Sequence, residues 1–489
     1  MIDLRRQLRD YAGEGWYPFH MPGHKRAADS PAGPDAAIDI TEIDGFDDLH
    51  HPEGILDEMQ KDAARLIGSG TCRFLVNGST AGILAAVRAA VPKGSAVLVD
   101  RRCHLSVYHA LILGELVPHY LYPAADPETG IASAPTAADV RNALEAAPEL
   151  RAVIITSPSY EGVAADVRGI AEAAHAHGAC LIVDEAHGAH LPFLGRAREN
   201  GGRSAGMFPE SAVHAGADLV VQSLHKTMPA LTQCALLHNC SDRVPQERID
   251  AALDIFQTSS PSYVLMASIG NALRWAEEEP ERFTAYGERI CRLRGELAKL
   301  KRIGLFGGAG PADEASAYDP GKIVLYDRGG AWDGRALYGR LREEYRLQPE
   351  MAVGRYVVLM TSPADTDEGF ERLLAAAREI DRELCESPCV PADAGSGTGK
   401  TPAEGAAVRP GHSPERVLTP AEAEEREKET VPVEKAEGRI CGDLIYCYPP
   451  GIPLLVPGER IGAEEARALT AGAAELRGVR EGKVRVIHG

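Results

Sequence analysis

Five short apolar runs, separated by helical stretches, constrain the fold of this chain more than any other feature. Between residues 57 and 275 they alternate with helical stretches such as Asp57–Ile67 and Thr80–Ala90. The runs are rich in β-branched residues and bounded by polar ones, and they cover residues 74–76, 96–99, 152–155, 180–183 and 219–221. Runs of this kind are typical of strands buried on both faces, so the alternation predicts an α/β domain built on a mostly parallel sheet.

The chain has 489 residues, too many for a single hydrophobic core. A helical pattern over Asn271–Lys301 and strand patterns at Lys322–Tyr326 and Tyr356–Met360 predict a smaller α+β domain beside the first. A Gly-, Pro-, Ala- and Ser-rich stretch then predicts a flexible linker. The predicted organisation is an N-terminal arm (1–35), a large domain (36–275), a small α+β domain (276–385), a linker (386–413) and a C-terminal α+β domain (414–489).

Charge and cysteine usage narrow the class of partner and the compartment. The net charge of −19 argues against a nucleic-acid partner, because phosphate binding needs a basic face, and it suits a small cationic partner. No apolar run approaches the length of a membrane span, and the N-terminus lacks the apolar core of a secretory signal. The ten cysteines are scattered, which favours reduced thiols in a cytoplasmic protein.

In a parallel sheet, ligands bind at the carboxyl ends of the strands, so the residues that follow each run matter most. Gly78, Ser79 and Thr80 follow the first run at a predicted helix start, where free amides and hydroxyls can cradle a phosphate or simply cap the helix. His104 follows the second run and can lie flat against a planar ligand or begin a helix.

The last two runs are followed by an acid and a base. Asp184 ends a buried strand, where a carboxylate is costly unless it meets a positive group such as a protonated pyridine nitrogen. Lys226 follows the final run, within Ser223–Lys226. A lysine at a strand end can be desolvated, which frees its amine for a Schiff base, although a surface lysine is the simpler interpretation of that stretch alone.

Together these strand ends describe a site for pyridoxal 5'-phosphate. The cradle would hold the phosphate, His104 would stack on the ring, Asp184 would keep the ring nitrogen protonated, and Lys226 would bind the aldehyde. No one of these features is specific, but their combination at successive strand ends is.

Four other motifs leave alternatives open. The basic turn Phe19–Arg26 either docks the arm on another subunit or contacts substrate. Residues 39–54 are dense in carboxylates and histidines, yet we expect no metal there because the adjacent His50 and His51 would point apart.

The rigid turn over Tyr448–Glu459, with Asp443, suits either a cap over a cationic substrate or a docked small domain. Residues 394–401 fit a relaxed phosphate-loop pattern but lack its flanking strand and helix, so we reject nucleotide hydrolysis.

The motifs resemble those of the ornithine/lysine/arginine decarboxylases of the aspartate-aminotransferase fold (fold type I of pyridoxal-phosphate enzymes), in their short bacterial form. The resemblance covers nearly the whole chain, and the motifs that carry it lie at residues 19–25, 47–54, 77–80, 184–190, 223–226, 258–263, 448–453 and 457–459. It departs from the family pattern at Leu224, Arg102 and Leu105, where the family usually has a small polar residue, asparagine and lysine.

The resemblance implies a role for each site residue. Lys226 would carry the cofactor, with His225, Asp184 and His104 as the other catalytic residues. The residues around the cofactor would be Gly78, Ser79, Thr80, Ala186, His187, Ser223, Ser259 and Ser260, the last two reaching the phosphate of a neighbouring subunit. The smallest competent unit would therefore be a homodimer, with active sites at the interface.

We therefore predict a decarboxylase of a basic amino acid, most favourably converting L-arginine to agmatine in polyamine biosynthesis. Lysine, giving cadaverine, and ornithine are the alternative substrates. An aminotransferase is a more distant alternative, which would need an arginine for the substrate carboxylate; Arg355, near a strand of the small domain, could be mistaken for that arginine. A catalytically silent homologue is a third alternative.

Overall fold

The computed structural model describes residues 1–27, 31–194, 207–308, 318–386, 414–448, 451–472 and 476–488. The predicted linker and the phosphate-loop-like stretch at 394–401 lie outside these ranges, apart from Glu386 at the end of a helix. Among the described helices, none combines the length and the apolar character that crossing a bilayer requires.

A seven-stranded sheet forms the centre of the protein. Its spatial order is β1-β7-β6-β5-β4-β2-β3, and only β7 runs antiparallel to its neighbours. The strands are β1 (Thr71–Leu75), β2 (Ala96–Asp100), β3 (Val117–Leu121), β4 (Ala152–Thr156), β5 (Cys180–Asp184), β6 (Leu219–Ser223) and β7 (Ala235–Asn239). The prediction of a mostly parallel α/β sheet is confirmed, and the carboxyl ends of β1, β2, β4, β5 and β6 meet at one edge.

Helices cover both faces of this sheet and bury its alternate side chains in two apolar cores. They are α1 (Leu4–Gly13), α2 (Ile55–Ile67), α3 (Gly78–Ala90), α4 (Leu105–Leu113), α5 (Ala137–Ala146), α6 (Val167–Ala176), α7 (Leu224–Thr227), α8 (Gln246–Phe256) and α9 (Tyr263–Glu278). The sequence predictions did not include β3 and β7. β3 is an edge strand interrupted by Pro118, and β7 ends on the polar pair His238 and Asn239, so neither reads as an apolar run.

The next region contains a four-stranded antiparallel sheet in the order β10-β11-β9-β8. Its elements are α10 (Glu281–Leu297), β8 (Ile303–Leu305), β9 (Lys322–Asp327), α11 (Gly334–Glu343), β10 (Met351–Val353), β11 (Tyr356–Met360) and α12 (Asp367–Glu386). The single helix predicted over Asn271–Lys301 is wrong: α9 ends at Glu278 and α10 begins after Pro280. Proline cannot donate the helical N–H bond, so it separates the two helices.

The last region holds two small sheets, β12 with β16 and β13 between β14 and β15. Its elements are α13 (Pro420–Glu424), β12 (Lys428–Pro432), β13 (Ile445–Cys447), β14 (Pro453–Leu455), α14 (Ala463–Gly472), β15 (Leu476–Arg477) and β16 (Lys483–Ile487). The acidic helix α13 is short, because the chain enters β12 at Lys428 and pairs there with β16. The domain boundaries given above remain predictions.

Candidate active site

Lys226 lies at the carboxyl edge of the central sheet, one turn beyond β6. The strand ends at Ser223 and the short helix α7 follows directly, which directs the Lys226 side chain back over the strand ends. Its Nζ lies 3.0 Å from His187 Nε2 and 5.5 Å from the centre of the Tyr160 ring. The centres of the Tyr160 and His187 rings lie 4.1 Å apart. These two rings, which follow β4 and β5, form an aromatic wall beside the Lys226 amine.

The surroundings of Lys226 favour its uncharged form. Burial lowers the pKa of Lys226; Asp184 and Glu350 oppose this effect, and Lys322 adds to it. An amine whose pKa is lowered is a nucleophile over a wider range of pH, which is what Schiff-base formation requires. Lys226 is partly buried at this strand end, and its role as the lysine that carries the cofactor stays a prediction.

Asp184 ends β5 and His104 follows β2, two strands on either side of β4, and Asp184 and Lys226 both influence the charge of His104. Asp184 is buried at the end of β5, and its Oδ1 accepts a hydrogen bond from the amide of Ala186 at 3.1 Å. His104 is the N-cap of α4, and its Nδ1 accepts from the amide of Ser106 at 3.2 Å. Burial lowers the pKa of His104, Asp184 opposes the shift, and Lys226 adds to it. The helix-start interpretation of His104 is thus met, and it leaves Nε2 available to a ligand.

The predicted phosphate cradle forms the first turn of α3. Gly78 has φ of +72°, and the N-cap Asn77 makes no side-chain hydrogen bond to the turn that follows. Ser223 Oγ donates to Ser79 Oγ at 2.8 Å, which brings hydroxyls from β6 and α3 together, and Thr80 is exposed. The amide of Gly78 donates to the Gln233 carbonyl at 3.0 Å, and the rest of the first turn, with no side-chain cap and with adjacent hydroxyls, fits an anionic group.

Two histidines lie beside Lys226: His225 precedes it in the sequence, and His187 contacts its amine. His225 Nδ1 lies 3.1 Å from the carbonyl of Cys234 and donates to it, so His225 Nε2 is left as an acceptor. His187 Nδ1 is buried and has no hydrogen-bond partner in the described part of the chain. Burial lowers the pKa of both imidazoles. A buried ring nitrogen without a partner beside a lysine amine fits a site that is completed by a polar ligand.

Ser259 and Ser260 are exposed in the turn that leads into α9. The amide of Thr258, which begins this turn, donates to Asn77 Oδ1 at 3.1 Å, so the turn lies beside the cradle of its own chain. His50 fastens the turn from the other side: its Nε2 donates to the Thr258 carbonyl at 2.8 Å, and its Nδ1 lies 2.9 Å from Asp254 Oδ1. The predicted contact of these serines with a neighbouring subunit stays a prediction.

The departures from the family pattern have a structural basis. Arg102 and Asp100 form a buried ion pair with an Nη2–Oδ2 distance of 2.7 Å at the end of β2. Leu224 is buried in the apolar core on one face of the sheet, and Leu105 is buried at the start of α4. The charge of Arg102 is neutralised by Asp100 within the protein.

Sequence reasoning missed three residues around Lys226. Tyr160 stands in the turn after β4, and its place at a carboxyl strand end was an available signal. Glu350 Oε1 accepts from the Tyr160 hydroxyl at 3.4 Å and comes from the approach to β10, which no strand-end argument on the central sheet reaches. Lys322 begins β9, where a lysine is indistinguishable in sequence from a solvated strand start.

The C-terminal region is anchored beside the site by a buried ion pair. Arg101 follows β2, and its Nη2 lies 3.2 Å from Glu459 Oε2, with both side chains 2% exposed. Arg101 Nη1 also donates to the carbonyl of Pro453 at 2.9 Å. Glu459 therefore docks the C-terminal region onto the large domain and does not cap a substrate. Gly451 from the same region approaches His104, since a Cβ there would lie 3.4 Å from the His104 ring.

Replacing Glu459 with glutamine is expected to destabilise the protein by about 3–5 kcal/mol, because it leaves the Arg101 charge buried without a counter-charge. The free energy of unfolding in urea measures this loss. Glu415→Gln is the matched control, because Glu415 pairs with Arg460 on the surface, with side chains 66% and 42% exposed, and its loss is expected to cost less than about 1 kcal/mol. Equal losses for the two variants would contradict the anchoring role of Glu459.

No group of three or more His, Cys, Asp or Glu side chains within the described ranges is arranged to hold a metal ion. In the 39–54 segment, His50 uses both ring nitrogens on Asp254 and Thr258. Asp47 accepts hydrogen bonds from the backbone amides of Asp48, Glu53, Gly54 and Leu56. The carboxylate that dominates this segment is therefore used to shape its own loop.

Comparison with known proteins adds family relationships to this geometry. The sequence model described as "Orn/Lys/Arg decarboxylase, major domain" matches residues 3–329, and the one described as "Orn/Lys/Arg decarboxylase, C-terminal domain" matches residues 406–471. The Bacillus subtilis protein YaaO is 35% identical over 96% of this chain and 93% of its own length. The arginine decarboxylase of the same organism is 29% identical over 94% and 90% of the two chains. Among solved structures, lysine decarboxylase A from Pseudomonas aeruginosa superposes with a TM-score of 0.80 at 20% identity, covering 100% of this chain and 80% of that one.

Proposed function

This chain belongs to the Orn/Lys/Arg decarboxylase family, and we propose that it converts L-arginine to agmatine and carbon dioxide with pyridoxal 5'-phosphate as its cofactor. The observation that carries the proposal is the Lys226 amine, which is largely buried, lies 3.0 Å from His187 Nε2 and is influenced by the charge of Asp184. A relative at 29% identity over most of both chains is named an arginine decarboxylase, which favours arginine over lysine and ornithine.

The residues at the strand ends match the chemical groups of pyridoxal phosphate. Lys226 would bind its aldehyde, Asp184 would face its ring nitrogen, and His104 would lie on its ring. Gly78, Ser79 and Thr80 of α3 and Ser223 of β6 would hold its phosphate, and Ala186 holds Asp184 in place through its amide. Bound in this way, the cofactor supplies an electron sink for the electrons of the broken Cα–carboxylate bond.

The protein's own groups would manage charge and protons around that step. Asp184, as a fixed negative charge in a buried position, stabilises positive charge on its partner throughout the reaction. After carbon dioxide leaves, a proton must be delivered to Cα, and the two candidate acids are Lys226 and His225. His225 donates its Nδ1–H to Cys234, which leaves Nε2 an acceptor in the neutral ring, so His225 could deliver a proton only from Nε2 of its protonated form.

Product analysis tests the proposal directly. Incubation of the cofactor-loaded protein with an equimolar mixture of arginine, lysine and ornithine is expected to release carbon dioxide and to give agmatine as the main amine. Cadaverine as the main product would make the protein a lysine decarboxylase and overturn the arginine assignment. Keto acids without carbon dioxide would instead indicate an aminotransferase, a reading that Arg355 does not favour, because its Nη1 donates to the Glu128 carbonyl.

The unit that performs this reaction is proposed to be a cytoplasmic homodimer serving polyamine synthesis. Four large apolar side chains cluster on the exposed arm, and Phe19 is 90% exposed, so the arm offers a surface for a second copy; they are Trp16, Tyr17, Phe19 and Met21. Ser259 and Ser260 are likewise exposed and would reach the partner's phosphate. The basic turn at residues 19–26 would dock within this interface.

A further inference from the structure

A lysine and an aspartate are completely buried behind the aromatic wall of the site. Lys322 opens β9, and Asp319 lies three residues earlier; both side chains are 0% exposed, and Lys322 Nζ lies 2.8 Å from Asp319 Oδ2. Lysine is almost never fully buried, and a buried ammonium must be paired and hydrogen-bonded to be tolerated. The ion pair meets that condition, but it does not explain why a charge is placed here.

The pair reaches from β9 across to the strand ends of the central sheet. Lys322 Nζ donates to the carbonyl of His187 at 3.2 Å, and Asp319 Oδ2 lies 3.4 Å from His190 Nε2. The Asp319 amide donates to the carbonyl of Gly162 at 2.8 Å. Both turns that supply the aromatic wall, after β4 and after β5, are thus fastened to this one ion pair.

The packing at this junction is too close for the turns to shift independently. Gly162 has φ of +100°, and a Cβ there would lie 2.9 Å from the Asp319 carbonyl oxygen and 3.0 Å from Lys322 Cβ. Gly162 stands two residues after Tyr160, and His187 is held through its own carbonyl. The Lys322 ammonium therefore holds the backbone of the residue whose ring lies against the Lys226 amine.

The ammonium also contributes to the charge around Lys226. The groups that act on the Lys226 amine are Asp184, Glu350, Lys322, the Tyr160 ring and the imidazoles of His104, His187 and His225. The groups around Lys322 are Asp319, His190 and Arg294, whose Nη1 donates to the Lys322 carbonyl. Of these groups, Lys322 is the cation that lowers the pKa of Lys226.

We propose that Lys322, paired with Asp319, is a positioning residue that acts through His187: it holds the backbone of His187, and with it the ring that lies against Lys226, and it places a fixed positive charge near that amine. This role rests on the proposed function, because it concerns the lysine that would carry the cofactor. It is separate from the roles assigned to Lys226, Asp184 and His104, because Lys322 touches neither Lys226 nor the predicted cradle.

The double variant Asp319→Asn/Lys322→Met tests the proposal. Replacing both partners of a buried ion pair by neutral groups of similar volume is often tolerated, whereas Lys322→Met alone leaves Asp319 unpaired and serves as the second variant. The readout is the pH midpoint at which the visible absorption of the lysine-bound cofactor changes. Because a nearby positive charge lowers the pKa of Lys226, its removal is expected to move the midpoint to higher pH in both variants, and kcat is expected to fall roughly tenfold or more as the wall loosens.

The matched control lies at the other end of the same strand. Asp327, the last residue of β9, forms a buried pair with Arg302 at 3.1 Å, away from the site. Asp327→Asn/Arg302→Met should leave the midpoint where it is in the wild type. A midpoint that does not move in Asp319→Asn/Lys322→Met, or that moves equally in the control, would overturn the role of Lys322 while leaving the proposed function intact. Absence of any cofactor absorption in the wild type would instead overturn the proposed function.

Discussion

Lys226→Ala is expected to lose decarboxylation by on the order of 10³-fold or more, because the variant lacks the amine that would hold the cofactor covalently and return a proton. The loss of cofactor attachment is expected to accompany it. Borohydride reduction followed by peptide mass spectrometry should find the cofactor on Lys226 in the wild type and on no lysine in the variant. Visible absorption of the bound cofactor should disappear in parallel.

Two companion variants show whether position 226 supplies a reactive amine or only a positive charge, and whether the loss of any lysine lowers activity. Lys226→Arg keeps a positive charge beside His187 but offers no amine that condenses with an aldehyde, so it should be as inactive as the alanine variant. Lys93→Ala removes a lysine that is 64% exposed and paired with Glu115 on the surface, and it should retain wild-type activity. An active Lys226→Arg variant would show that position 226 contributes charge alone, and the assignment of Lys226 as the carrier of the cofactor would fail.

The candidate site residues could be grouped from the sequence because a parallel sheet places them at one edge. Residues that follow parallel strands share one edge, so Asp184, Ser223 and His104 could be grouped without knowing the strand order. The apolar runs that define those strands are buried on both faces, which is why they are readable. Lys226 was found on the same basis, although it lies on the short helix α7 rather than in a loop.

The sequence predictions failed where the structure of a segment, or the burial of a charge, depends on a partner far away in the chain. β3 pairs only with β2 at the edge of the sheet, and β12 forms by pairing with β16 more than fifty residues later, so local pattern gave no signal for either. Lys322 and Glu459 are polar residues whose burial is decided by Asp319 and Arg101 across a packed interface. A charged residue in a sequence is read as solvated until its counter-charge is known.

Asp184 offers the second large effect, and its neighbour in sequence provides an internal comparison. Asp184 and Glu185 are adjacent and both buried at the end of β5. The charge of Asp184 acts on Lys226 and His104. The carboxylate of Glu185 instead accepts from Ser211 Oγ at 2.7 Å and Gln222 Nε2 at 2.6 Å, and burial raises its pKa to about 7.

Asp184→Asn is therefore expected to lower kcat by at least about 10²-fold, because the neutral amide cannot stabilise a protonated ring nitrogen during bond breaking. The change preserves the side-chain shape and an oxygen for the Ala186 amide, so cofactor attachment to Lys226 should persist. Glu185→Gln, a change of the same kind one residue away, should alter kcat per folded subunit by less than about threefold, since Glu185 is already partly neutral near pH 7 and its carboxylate bonds to Ser211, Ala212 and Gln222, outside the proposed site residues. Steady-state carbon dioxide release for the two variants, each normalised to bound cofactor, makes the comparison. If the Glu185 variant loses as much activity as the Asp184 variant, the charge at the end of β5 acts through folding, and the pairing of Asp184 with the ring nitrogen must be abandoned.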